Sequence, residues 1–112
     1  MSGCSRPRQS LPASVNAIEI SPQPPQVGPI TVTFHLEDAA KPVTGARTSL
    51  EADMTHAGMA PVFGDAREIA PGQYQGRLVL SMGGDWVVLM HIVLPNGQKL
   101  EKQIAVGGVQ NK

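Results

Sequence analysis

Cysteine is nearly absent from this chain: Cys4 is the only one in 112 residues. A single thiol excludes an intrachain disulfide. Aromatic side chains are scarce as well, limited to Phe34, Phe63, Tyr74 and Trp86. The core must therefore be built mainly from Val, Ile, Leu and Met. Charge of either sign is lacking in excess, with nine basic and nine acidic residues and a formal net charge of zero. These charges are scattered without runs. That excludes a phosphate-neutralising patch for nucleic acid and a polybasic membrane anchor. No apolar run reaches the length of a transmembrane helix. The longest, Trp86 to Leu94, has strand length and carries His91 in its middle. Met1 is followed by no apolar run of the secretory kind. There are no internal repeats and no amphipathic helix of useful length.

What is present is a single domain's worth of chain, 41% hydrophobic, punctuated by twelve Gly and ten Pro. Residues 1–14 have no hydrophobic periodicity and read as a flexible leader; residues 15–108 read as the domain. Val15 to Ile20 suits a first strand, ended by Ser21-Pro22-Gln23-Pro24-Pro25. In the next segment Ile30, Val32, Phe34 and Leu36 alternate with Thr31, Thr33, His35 and Glu37. That period of two predicts a strand with one buried and one wet face.

Lys41 to Gly45 reads as a loop. Ala46 to Met54 alternates again, with Thr48, Leu50, Ala52 and Met54 on one face. Arg67 to Ala70 is a short strand before the Pro71-Gly72 turn. Gln73 to Ser81 is a strand with Tyr74, Leu78 and Leu80 inward. Met82-Gly83-Gly84-Asp85 is a turn. Trp86 to Leu94 is apolar on both faces, and Asn96-Gly97 signals a hairpin into Gln98 to Val106. About seven short strands with Gly/Pro turns predict an all-β, immunoglobulin-like antiparallel two-sheet sandwich. The Cys pair and intervening Trp of true immunoglobulin domains are absent.

The densest chemistry lies in Met54-Thr55-His56-Ala57-Gly58-Met59-Ala60-Pro61. Two thioethers and an imidazole within six residues are uncharged ligands that suit copper, and Cu(I) above all. Gly58 lets the backbone turn so that the three converge. Met82, Met90 and His91 are additional candidate ligands. Parity limits the set: if Trp86 points inward so does Met90, and His91 points outward, away from Met54. The same residues also have a packing account, because Met fills irregular gaps in cores. Structural zinc fits less well, since it takes four Cys, His or carboxylate ligands.

Catalysis finds little support. Ser81, Asp85 and His91 do not sit in a nucleophile elbow, and no glycine loop has phosphate-binding spacing. The expectation is a protein that binds rather than transforms, an envelope or metal-delivery protein being its expected partner. A competing account is a metal-free interaction domain. Val87, Leu89 and Val93 would form an apolar stripe on the outer sheet face, for a homodimer or another envelope protein. Ser2-Gly3-Cys4 is similar to the end of a bacterial lipoprotein signal, which makes Cys4 a candidate for lipidation. Residues 5–14 would then be a tether.

The elements Pro42-Val43-Thr44-Gly45-Ala46, Met54-x-His56-x-x-Met59-x-Pro61, Pro71-Gly72-x-Tyr74 and Leu80-Ser81-Met82-Gly83-Gly84-x-Trp86 together resemble the YtkA-like domain family. That family is in turn similar to the FixH proteins of bacterial membranes. The likeness spans about residues 28–106. It implies an immunoglobulin-like sandwich, exported or membrane-tethered in the bacterial cell envelope. It also implies a setting close to heavy-metal efflux or cytochrome oxidase assembly. It carries no activity residue by residue, so the metal expectation rests on Met54, His56 and Met59 themselves.

Overall fold

The computed structural model describes residues 13–55 and 60–111. Eight strands follow one another without a helix: β1 (Ser14–Ser21), β2 (Gly28–Asp38), β3 (Lys41–Pro42), β4 (Arg47–Met54), β5 (Val62–Ala70), β6 (Gln73–Leu80), β7 (Gly84–Val93) and β8 (Lys99–Val109). Alternation does in space what it suggested in sequence. On β2, Ile30, Val32, Phe34 and Leu36 are buried; on β7, Trp86, Val88, Met90 and Ile92 are buried.

All pairings of named strands are antiparallel, in the order β1-β2-β6-β5-β4-β7-β8, with β3 alongside β2. Leaving β3 aside, β1-β2-β6-β5 and β4-β7-β8 are the two sheets of a constant-type immunoglobulin sandwich, in the same spatial order. The two halves share one apolar core. They are also joined by hydrogen bonds at both sides. The β4–β5 hairpin carries the ladder from one sheet into the other. On the far side, the Val27 N–H donates to the Gln110 carbonyl (2.8 Å) and the Gln110 N–H to the Pro25 carbonyl (3.0 Å).

The fold-over at β5 needs small residues. A β-carbon on Gly76 would come within 2.5 Å of the Asp65 carbonyl oxygen and 2.7 Å of Leu50 Cδ1. This explains an element that sequence periodicity places only partly. β5 runs from Val62, not from Arg67, and its inward positions are Val62, Gly64 and Ala66. At Gly64 the lack of a side chain lets the β6 backbone pass close, at the Arg77 carbonyl. β1 begins at Ser14, and Ala13 before it is already buried. The remainder of the leader, with Cys4, lies outside the described residues.

One end of the sandwich is pinned by side chains to backbone. The buried Tyr74 hydroxyl donates to the Val43 carbonyl (2.8 Å) and accepts from the Ala46 N–H (3.1 Å). Its ring stacks on Phe34, with centroids 5.7 Å apart. The Glu68 carboxylate accepts from the Gly45 N–H (3.1 Å) and the Gly72 N–H (3.0 Å), tying two turns together. Gly72 has φ of +75° and packs against Pro42, so both its conformation and its lack of a side chain are required.

Candidate functional site

The opposite end carries Met54 and Met82. Met54 closes β4 directly across from Trp86. Its side chain is only 9% exposed and belongs to the rim of the core. Its methyl lies so near Gly84 that a β-carbon there would sit 3.1 Å away. The chain leaves β4 through Thr55, whose N–H donates to the Asp85 carbonyl at 3.3 Å. Met82 stands on the β6–β7 turn, 46% exposed, and its carbonyl accepts the Trp86 indole N–H at 3.0 Å. Met54 and Met82, separated in sequence, therefore flank the same buried tryptophan. His56 and Met59 lie outside the described residues; the chain leads to them from Thr55, at this same end.

The other candidate ligands are elsewhere. Met90 is fully buried, paired with Leu50, four residues down the strand from Trp86, which is roughly 13 Å at strand rise. It is a core residue. His91 faces outward, as its parity requires, so it cannot join Met54. Its Nε2 lies 3.1 Å from Glu51 Oε1 and its Nδ1 2.8 Å from Glu101 Oε2. The ring thus links β4, β7 and β8 across the outer face. Because the two carboxylates occupy different ring nitrogens, they do not converge on one point. Among the described residues, no group of three or more His, Cys, Asp or Glu side chains has metal-binding geometry.

The outer face of β5-β4-β7-β8 is the second feature. Cross-strand register sorts it into rows. Arg47, Val93 and Lys99 form the first row, with Arg67 the exposed residue at that end of β5. Asp65, Ser49, His91 and Glu101 form the second. Phe63, Glu51, Leu89 and Gln103 form the third, and Asp53, Val87 and Ala105 the fourth. Val87, Leu89 and Val93 are half-buried by their neighbours. Phe63 is 69% exposed, the most exposed large apolar side chain among the described residues. Sequence reasoning missed Phe63, because Pro61 before it and Gly64 after it hide the strand. The surviving signal was the alternation of Phe63, Asp65 and Arg67 with small residues.

Charge on this face is uneven. Among the described residues the ion pairs are those of His91, so Arg47, Arg67 and Lys99 have no carboxylate partner there. Asp53, at the far row, has its pKa raised above that of a free aspartate. Burial contributes most, followed by a hydrogen bond and repulsion from Glu51; His91 acts the other way.

Comparison with known proteins gives one sequence-level relation. The model of the YtkA-like family matches residues 12–91, which takes in both the Tyr74 end and the Trp86 end. No curated protein matches the chain. Among solved structures, murine CRIg superposes with a TM-score of 0.49 at 8% identity, covering 88% of this chain and 98% of that one.

Proposed function

We propose that this chain, which belongs to the YtkA-like family, is a binding domain of the bacterial cell envelope that takes up Cu(I) at its methionine-bearing end. In this reading Met54, His56 and Met59 are the principal ligands and Met82 is an additional one. A lipid on Cys4 holds the domain to the membrane, and a metal-handling envelope protein receives the ion. The observation that carries the reading is that Met54, directly across from Trp86, and Met82, whose carbonyl accepts the Trp86 indole N–H, stand at the end of the sandwich from which the segment bearing His56 and Met59 departs. A cluster of neutral soft donors is what Cu(I) prefers, and it offers little to hard cations. Met90 and His91 are not part of this ligand set. Met82 is about half exposed, while Met54 lies at the core rim.

The test is a competition titration with a chromogenic Cu(I) chelator under reducing conditions. Wild type is compared with Met54→Leu, His56→Ala, Met59→Leu and Met82→Leu, the leucines keeping volume nearly constant. Loss of a principal ligand is expected to weaken binding by about tenfold or more, equivalent to about 1.4 kcal/mol. Equal affinities in all five proteins would remove the proposal.

A second reading, a metal-free interaction domain, is favoured by a different observation. Phe63 is largely exposed and shares a cross-strand row with Leu89 through Glu51, and Val87 lies next to Leu89 on the same strand face.

A further inference from the structure

We infer that the outer β5-β4-β7-β8 face is the contact surface of a homodimer, with two copies packed face to face about a two-fold axis that runs across the strands. The inference rests on the interaction reading of this face and names its partner as a second copy of the chain. Charge is what selects that partner. The first row carries Arg47 and Lys99, with Arg67 beside them, and the fourth carries Asp53. A two-fold axis across the strands inverts strand direction between the copies, so the first row of one copy meets the fourth row of the other. Arg47 then faces Asp53, and Val93 faces Val87, twice over by symmetry. In the middle rows His91 meets Leu89, Ser49 meets Glu51, and Asp65 meets Phe63.

The alternative axis, along the strands, superposes like on like. Asp65 would face Glu101 and Arg67 would face Lys99, which is repulsive at both ends. The unpaired guanidinium of Arg47 and the carboxylate of Asp53, which has Glu51 beside it on the same strand face, both gain a counter-charge only in the first arrangement. Three strands about 4.8 Å apart, β4, β7 and β8, and four rows along them give a contact of about 400 Å² per copy, with Phe63 added from the turning edge of β5. The total of about 800 Å² is below that of standard specific interfaces, so the association is weak and reversible.

Sedimentation velocity on the full chain, from about 5 to about 500 µM to span the range a weak interface implies, tests this directly. Each variant is first checked for native circular dichroism. Wild type is expected to pass from monomer to dimer over the range, and Leu89→Lys to stay monomeric. Asp53→Arg and Arg47→Asp are each expected to weaken association by about tenfold or more, in keeping with like-charge juxtaposition. The double variant, with the charges exchanged, is expected to regain wild-type association. A wild type that stays monomeric throughout overturns the second copy as partner. Dimerisation of Leu89→Lys at the wild-type concentration overturns the face itself as an interface. Loss in Leu89→Lys without rescue in the double variant keeps the interface and overturns the two-fold arrangement.

Discussion

Replacing Tyr74 by Phe removes one oxygen and leaves the rest of the residue in place. The ring keeps its stack on Phe34 and its volume in the core. What goes is the hydroxyl that donates to the Val43 carbonyl and accepts from the Ala46 N–H. Both backbone groups are part-buried, so water compensates them only in part. Two such losses amount to about 2 kcal/mol, within a range of about 1 to 3. A domain of this size has an unfolding entropy near 0.2 kcal/mol/K at its midpoint, which converts the loss into a fall in Tm of about 10 °C.

Thermal melts followed by circular dichroism measure that shift, and hydrogen exchange at the Ala46 amide reports the local opening. The pH dependence is a second, independent readout. Burial, more than any other influence, holds the Tyr74 pKa above the 10.0 of a free tyrosine. The folded state therefore keeps the phenol proton longer than the unfolded chain does. That contribution is complete below about pH 10 and is lost as pH rises through the folded-state value. Wild type should lose stability in this alkaline window by a component that Tyr74→Phe lacks, so the gap between the two should narrow. A Tm change under about 2 °C, or a gap constant through the alkaline range, would refute the reasoning from these two hydrogen bonds.

Other outcomes follow from the same geometry. Gly76→Ala would press a methyl into the Asp65 carbonyl oxygen, Leu50 and the Ala66 backbone; a loss of about 3 kcal/mol is expected, read as a shifted urea midpoint, and native stability would contradict the close approach at the fold-over. Asp53→Asn should stabilise the monomer at neutral pH, because burial and Glu51 raise the pKa of Asp53 above 3.8 in the folded state. Stability from that group is present below pH 3.8 and lost as pH rises through the folded value, so the gain in the variant should fade on acidification. Urea titrations of dilute protein at pH 7 and pH 3 compare the two; an equal difference at both would count against it.

Much of the fold was legible from residue alternation. β2, β4, β6 and β7 each carry apolar residues at every second position, and parity alone separated Met90 inside from His91 outside. β5 was legible only at its end, because its buried side reads Val62, Gly64, Ala66, and small residues there serve the crossing of β6 rather than apolar burial. The Pro71-Gly72 turn was evident. The partner of the Tyr74 hydroxyl was not, since Val43 and Ala46 lie 31 and 28 residues away.

The candidate site divides in the same way. The clustering of Met54, His56 and Met59 is a local fact of sequence. That Met54 and Met82 share the Trp86 end depends on hairpin register, which no local pattern states. The carboxylates on either side of His91 likewise come from two other strands. The copper titration reports on the imidazole of His56 and the sulfur of Met59.

The direction of β1 has a consequence for orientation. Its first residue, Ser14, pairs with Glu37, and its last, Ser21, with Thr31; the chain thus enters the domain beside the tyrosine-pinned end and travels toward the other. A molecule hung from the bilayer by an acyl group on Cys4 would be suspended from its tyrosine pole. Its thioether pole would be turned outward, at a height set by the nine residues that follow Cys4 up to and including Ala13, which extend to about 30 Å at most, and by the length of the sandwich itself. An ion carried there would be offered to whatever stands above the membrane, away from the lipid headgroups.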